Sequence, residues 1–356
     1  MSGTNEVITL EQFANKNERD WEHIIEAKVL TTKIIKRIKA QFDVPLFSSD
    51  ADLVVFGSIA RGECNTKSDV DWTILIDGQA SSHHFNSSYI VKSKLEGLEL
   101  QEHGKTGMFG QVTFSHDLIH YIGGEEDTNH NISRRLLLLL ESIPIGFDTS
   151  EENISNAHER VLRGIIDQYI SNDSGFRSER LAKLTLPRFL LNDFIRFWRT
   201  MCVDFALKQK ERRGENWALR NIKLRMSRKM IFVKGLLMCF SCYKNESLTN
   251  AEDVKEHLKN LALMNPMDVL ITVLSSRAVN TEDICKVMDS YNDFLGLLAN
   301  SEKRNHLSKL HMDKVYNDST FIEARKISDD FQNILDNIFF KRDSNLFEFV
   351  SKYGLF

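Results

Sequence analysis

Proline is scarce, with four in 356 residues, and cysteine is nearly so, with five. So few prolines leave room for long uninterrupted helices, because nothing removes the backbone donors that such helices need. An odd set of cysteines (Cys64, Cys202, Cys239, Cys242, Cys285) scattered along a long chain cannot all pair into a disulfide framework. With no signal-peptide pattern beside them, the expectation is a reducing, cytoplasmic setting. Cys239 and Cys242 form a C-x-x-C, yet no second Cys or His pair stands at zinc spacing, and the segment from Met230 reads as apolar helix. Buried thiols are expected there, not a metal or redox centre. No apolar run reaches bilayer-spanning length: Lys234 interrupts the longest candidate and Leu136 to Leu140 is too short, so no membrane partner is expected. A strong positive charge is also missing. The net charge of −4 disfavours long nucleic acid as a partner, although Lys208 to Lys229 is locally basic.

What is present is the composition of an ordinary soluble protein, 42 % hydrophobic and 27 % charged, in a chain long enough for two domains. Its chemistry gathers at residues 53 to 77. An apolar strand, Leu53 to Phe56, runs into Gly57-Ser58. Ten residues later Asp69-Val70-Asp71 opens a second apolar strand through Leu75 and Ile76. Side chains alternate along a strand, so Asp69 and Asp71 share a face while Val70 and Trp72 point into the core. Paired carboxylates suit a hard divalent cation, which leaves further positions to water and phosphate. Gly57 permits a tight turn and close approach of a ligand, and Ser58 with nearby backbone N–H groups can donate to phosphate oxygens if a helix starts there.

Phe56-Gly57-Ser58 followed at this spacing by Asp69-Val70-Asp71-Trp72 resembles the signature of the DNA polymerase β-type nucleotidyltransferase superfamily. The resemblance implies transfer of a nucleoside monophosphate from an NTP to an acceptor hydroxyl, with pyrophosphate leaving. Asp69 and Asp71 would be catalytic and hold Mg²⁺ or Mn²⁺, and Gly57, Ser58 and Arg61 would bind the nucleotide. Where the superfamily has a third carboxylate, this sequence offers Gln111. The nearest acids are Glu99, Glu102 and Asp117, and the choice among them stays open. A catalytically inactive, NTP-binding regulatory module is the alternative reading. Residues 50 to 145 also loosely resemble bacterial nucleotidyltransferases that modify the PII protein and glutamine synthetase, which raises a protein as one acceptor class beside small molecules, nucleotides and RNA ends.

Around this core the period of three and four from Glu18 to Phe42 predicts an amphipathic helix. His83 and His84 fall in a serine-rich loop before a helix from Tyr89 to Glu96, and read as surface. Thr128 or Asn129 is the expected N-cap of the helix that carries Arg134, Arg135 and the leucine run. Two arginines near a helix start oppose the helix dipole, so either an acidic or phosphorylated ligand or an ion pair to Asp127 or Glu141 is expected. Pro144, Gly146 and Asp148 to Glu151 mark a domain boundary. The expected architecture is α+β: a sheet-and-helix nucleotidyltransferase domain over residues 1–147, then an all-helical domain over 148–356 that covers the nucleotide cleft. Arg220 and Lys223 form a polar stripe on one of its helices and are candidate cations for the triphosphate, or else partners of Asp193 and Asp204.

Overall fold

The computed structural model describes residues 7–42, 50–98, 101–102, 108–145, 156–176, 182, 185–211, 213–342, 344 and 346–354. In chain order its elements begin α1 (Leu10–Lys16), α2 (Glu22–Lys39), β1 (Ala51–Phe56), α3 (Gly57–Arg61), β2 (Asp69–Val70), β3 (Trp72–Ile76) and α4 (Ser82–Glu96). There follow β4 (Gln101–Glu102), β5 (Gln111–Phe114), α5 (Ser115–Ile119), α6 (Asn129–Leu140), β6 (Ser142–Pro144) and α7 (Ala157–Ser171). The rest is helical: α8 (Arg188–Glu211), α9 (Trp217–Lys223), α10 (Lys229–Cys242), α11 (Ala251–Leu263), α12 (Pro266–Ser276), α13 (Thr281–Ala299), α14 (Ser301–Lys309), α15 (Ser319–Phe340) and α16 (Phe347–Phe349). Among the described residues every strand precedes residue 145. The fold is thus a small mixed sheet with helices, then a mostly helical remainder.

The chain divides into two compact units. One comprises the described residues of Ala27–Ala182 together with Leu248–Asn265, and the other the described residues up to Glu26, of Lys183–Ser247 and of Pro266–Phe356. In the first, the sheet order is β5-β3-β1-β6. β1 is antiparallel to β3, with Val55 opposite Trp72, and antiparallel to β6, with Phe56 opposite Ser142. β3 is parallel to β5, with Thr73 beside Gln111 and Leu75 beside Thr113. Both central strands read as continuous apolar runs because both of their faces are covered, and every residue of β1 and β3 is buried. One face, carrying Leu53, Val55, Trp72, Ile74 and Ile76, packs on Ile34 and Ile38 of α2 and Val91 and Leu95 of α4. Each such side chain, fully buried, contributes about 1.5–3 kcal/mol.

The opposite face meets α6 and α7. The His158 N–H, in the first turn of α7, donates to Asp52 Oδ2 on β1 (2.7 Å), and His158 Nε2 lies 2.7 Å from Ser142 Oγ on β6. Ser142 Oγ itself donates to the Leu138 carbonyl (2.6 Å). The serine hydroxyl therefore accepts from Nε2–H, which leaves Nδ1 as the unprotonated nitrogen. Burial pushes the His158 pKa down to about 4 and moves Asp52 up, the latter opposed by the backbone donation from His158.

Two local readings change. α4 starts at Ser82, seven residues before the expected Tyr89, so His83 and His84 are helical and His84 is buried, with Nδ1 accepting from the Ser81 N–H (3.3 Å). A polar first turn hides such a start from any periodicity of apolar residues. Pro144, expected to mark a domain boundary, ends the edge strand β6 (Ser142–Pro144), where proline needs no outward donor.

The second unit is a helical assembly whose core includes the fully buried Phe194, Phe240, Tyr291, Phe294 and Phe331. A Cβ on Gly235 would stand 2.8 Å from Phe194 Cγ, so only glycine lets α8 and α10 approach so closely there. Cys239 and Cys242 are buried free thiols on α10, as expected; burial raises both, Cys242 to about 12.

Candidate active site

Gly57 follows β1 directly and adopts a positive φ of 66°, which turns the chain from strand into α3 without an intervening loop. Its missing side chain matters as much as its φ. A Cβ placed there would lie 2.9 Å from Asp71 Oδ2, so the aspartate carboxylate occupies the space that any other residue at 57 would fill. The Phe56 N–H donates to the Asp71 carbonyl (2.8 Å), and this bond sets the register between the two arms of the motif. The two sequence segments, ten residues apart, are one piece of structure.

The alternation predicted for the second arm is observed. Val70 and Trp72 are 4 % and 2 % exposed, whereas Asp69 and Asp71 are half-buried and open to solvent on their side. β2 ends at Val70 and β3 begins at Trp72, so Asp71 sits at the break between two strands; β2 pairs in parallel with β4, whereas β3 is antiparallel to β1 and parallel to β5. The connection is shaped by its polar residues. The Asn65 N–H donates to Ser68 Oγ (3.0 Å), the Lys67 N–H to Asn65 Oδ1 (3.0 Å), and the Cys64 N–H to Thr31 Oγ1 on α2 (3.1 Å). Asn and Ser favour such turns because their side chains substitute for backbone partners. Burial pushes the Cys64 thiol up, opposed by hydrogen bonds from Thr31 and Ser58.

Arg61 lies at the end of α3 with its side chain 12 % exposed, paired to Glu63 Oε2 (2.9 Å) and to Glu141 Oε2. Both acids are buried, and the Arg61 carbonyl accepts from Asn265 Nδ2 (2.6 Å). Its charge is directed at protein carboxylates. Arg220 and Lys223 lie on α9 in the helical unit, where the Arg220 guanidinium stands over the Phe205 ring at 5.3 Å.

Beside β3, strand β5 carries Gln111 and Thr113 on the face that Asp71 and Thr73 share. Thr73 Oγ1 donates to the Gln111 carbonyl (2.6 Å) and lies 2.8 Å from Thr113 Oγ1. Of the acids considered for this neighbourhood, Asp117 is on α5, Glu99 lies outside the described residues, and Glu102 is described by its backbone alone, paired with Val70. Among the described residues no group of three or more His, Cys, Asp or Glu side chains is placed to hold a metal ion.

Arg134 and Arg135, adjacent on α6, have separate surroundings. Arg135 is fully buried and bidentate to Asp127, with NH1 to Oδ1 at 3.0 Å and NH2 to Oδ2 at 2.9 Å, and its Nε donates to the Tyr169 hydroxyl (2.9 Å). It is the structural ion pair. The Thr128 cap holds, with the Asn131 N–H donating to its hydroxyl (3.2 Å). Arg134 instead points to the sheet face of Thr73 and Phe56, and burial lowers its pKa against the attraction of Asp117. Thr73 was within reach of sequence reasoning, two residues beyond Asp71 on an alternating strand; Arg134 was singled out by its helix position alone.

No curated protein and no solved structure matches the chain. Residues 31–106 match the family model of the nucleotidyltransferase domain. That segment holds β1, α3 and both aspartates, and through it the chain carries a nucleotidyltransferase domain of the polymerase β-like superfamily.

Proposed function

We propose that the chain is a metal-dependent nucleotidyltransferase, which moves a nucleoside monophosphate from an NTP to an acceptor hydroxyl and releases pyrophosphate. The observation that carries this reading is the fit of the Asp71 carboxylate into the space that a Cβ on Gly57 would fill, which joins a phosphate-approach turn to an acidic strand end. The donor set fits Mg²⁺ or Mn²⁺: Asp69 and Asp71 offer two carboxylates on one half-open face, and such ions keep their other positions for water and phosphate oxygens. When bound, the ion supplies charge neutralisation on the phosphates.

The protein's own contribution is placement. Gly57 clears the space beside the carboxylate, and Ser58 and the backbone N–H groups that open α3 receive phosphate oxygens. Arg61 has a different part in this reading: held between Glu63 and Glu141, it fixes α3 on the sheet. The acceptor oxygen attacks the α-phosphorus in line, the bond to the bridging oxygen breaks, pyrophosphate leaves with that electron pair, and the hydroxyl proton passes to water. Such positioning, with little covalent work by the protein, is characteristic of nucleotidyl and phosphoryl transfer.

The test is pyrophosphate release from each of the four NTPs with Mg²⁺ or Mn²⁺, wild type beside the Asp69→Asn/Asp71→Asn double variant. Release by the wild type and its loss in the variant are expected; equal release by both would sink the mechanism. The second reading, NTP binding without transfer, is motivated by the neutral Gln111 and Thr113 on β5. It expects calorimetric NTP binding with no pyrophosphate from any NTP.

A further inference from the structure

Phe56, which immediately precedes Gly57, and Thr73, two residues beyond Asp71, line a small pocket together with Phe109, Thr113, Arg134 and Leu138. It therefore touches both arms of the active-site motif. Its walls are mostly apolar, with the Phe56 and Phe109 rings 5.3 Å apart, and the Thr73 and Thr113 hydroxyls are already bonded to each other and to the Gln111 carbonyl. Among the described residues, Arg134 is its only charged lining residue.

One donor of that guanidinium is unused among the described residues. Arg134 Nε is buried and has no hydrogen-bond acceptor among the described residues. A buried donor left unpaired costs about 1–3 kcal/mol, more for a charged group. The neighbouring Arg135 shows what a structural arginine on the same helix looks like, with Asp127 and Tyr169 satisfying its nitrogens. Among the described residues, the titratable groups that interact with Arg134 are Asp117, which attracts it without an ion-pair contact, and His130, whose pKa burial and then Arg134 lower. A half-buried cation beside an apolar pocket, with its Nε donor unpaired among the described residues and next to the proposed transfer centre, is arranged for a planar or tetrahedral oxyanion that brings its own acceptors.

We infer that Arg134 is a specificity-determining residue that binds an oxyanion, a carboxylate or a phosphate monoester, carried by the acceptor substrate. The inference rests on the nucleotidyltransferase reading for the word acceptor, but not for the binding itself. The oxyanion sits at the mouth of this water-sized pocket, and Arg134 orients the acceptor hydroxyl towards the Asp71 end of β3.

The test uses the full chain in EDTA at constant ionic strength, with melting followed by fluorescence as inorganic phosphate or, in a parallel arm, acetate is added. At about ten times the dissociation constant, a bound oxyanion raises Tm of the wild type by roughly 3 °C. Arg134→Gln keeps a polar chain of similar reach without the charge and is expected to lose that shift. Asp71→Asn is expected to keep it, which separates this result from the fate of the transferase reading. A response to phosphate alone assigns a phosphorylated acceptor, and one to acetate a carboxylate. An equal shift in Arg134→Gln, or no shift of the wild type in either arm, overturns the inference. Arg134→Lys is the second variant: a point charge without the guanidinium fork is expected to recover only part of the shift.

Discussion

Replacing Gly57 by alanine separates the two demands made on that position. The first is backbone: at φ 66° an L-residue costs roughly 1–2 kcal/mol more than glycine. The second is space. The new Cβ would meet Asp71 Oδ2 at 2.9 Å, and ordinary contact begins near 3.4 Å, so the carboxylate must retreat by about 0.5 Å. Gly62 provides the control. It has φ 72°, and a Cβ there meets Asn265 Nδ2 at 3.3 Å and Lys28 Cγ at 3.4 Å, with Asp71 untouched. Both alanine variants are therefore expected to lose about 1–2 kcal/mol in urea unfolding. Only Gly57→Ala displaces the Asp71 carboxylate, the proposed metal ligand, and a shift of that order at a reacting centre costs on the order of 100-fold in turnover. The assay is pyrophosphate release measured beside urea titration for the wild type and both variants. Equal turnover in the two variants would refute the reasoning, because the contact with Asp71 would then have no consequence of its own.

Two further expectations concern the fold beneath the site. Arg135→Met leaves Asp127 buried with a single backbone donor, Gly123 N–H, and should cost about 3–5 kcal/mol by urea unfolding, whereas the double variant with Asp127→Leu should recover much of it. His158 is held neutral with a pKa of about 4, below its ordinary 6.5, so its contribution is complete above pH 6.5 and is lost as pH falls towards 4. The loss is about 2 kcal/mol at pH 5 and about 3 kcal/mol at pH 4. Asp52, whose pKa burial raises, works the other way and offsets part of it. Unfolding curves at pH 7 and pH 5 should therefore show a steeper loss for the wild type than for His158→Asn; parallel losses would contradict the assignment.

What was legible in the sequence was what is local. Phe56-Gly57-Ser58 and Asp69-Val70-Asp71 could be read because strand alternation and a glycine turn are properties of a few adjacent residues, and the exposures of Val70, Trp72 and both aspartates follow that alternation. The leucine helix and its Thr128 cap were legible for the same reason. The partners were not. Arg61 reads as a free cation beside the turn until Glu141, eighty residues on, is brought against it. β6 is three residues long and contains proline, so only its pairing with β1 identifies it as a strand. Of Asp127 and Glu141, the acids open to Arg134 and Arg135, the fold gives Asp127 to Arg135 and Glu141 to Arg61.

The unit that bears the candidate active site is completed from far along the chain. α11, within Leu248–Asn265, belongs to it, with Lys255 paired to Asp167, Lys259 to Glu159 at 3.1 Å, and Asn265 bonded to the Arg61 carbonyl at the end of α3. During synthesis, then, the ribosome delivers β1, α3 and both aspartates long before the segment that finishes their support. The nascent sheet waits through more than sixty intervening codons, those for Lys183–Ser247, before its last helix arrives. A chaperone that shields this exposed intermediate, or a slowed stretch of translation around residue 265, would act on the transferase unit although the message being read lies far outside its motif.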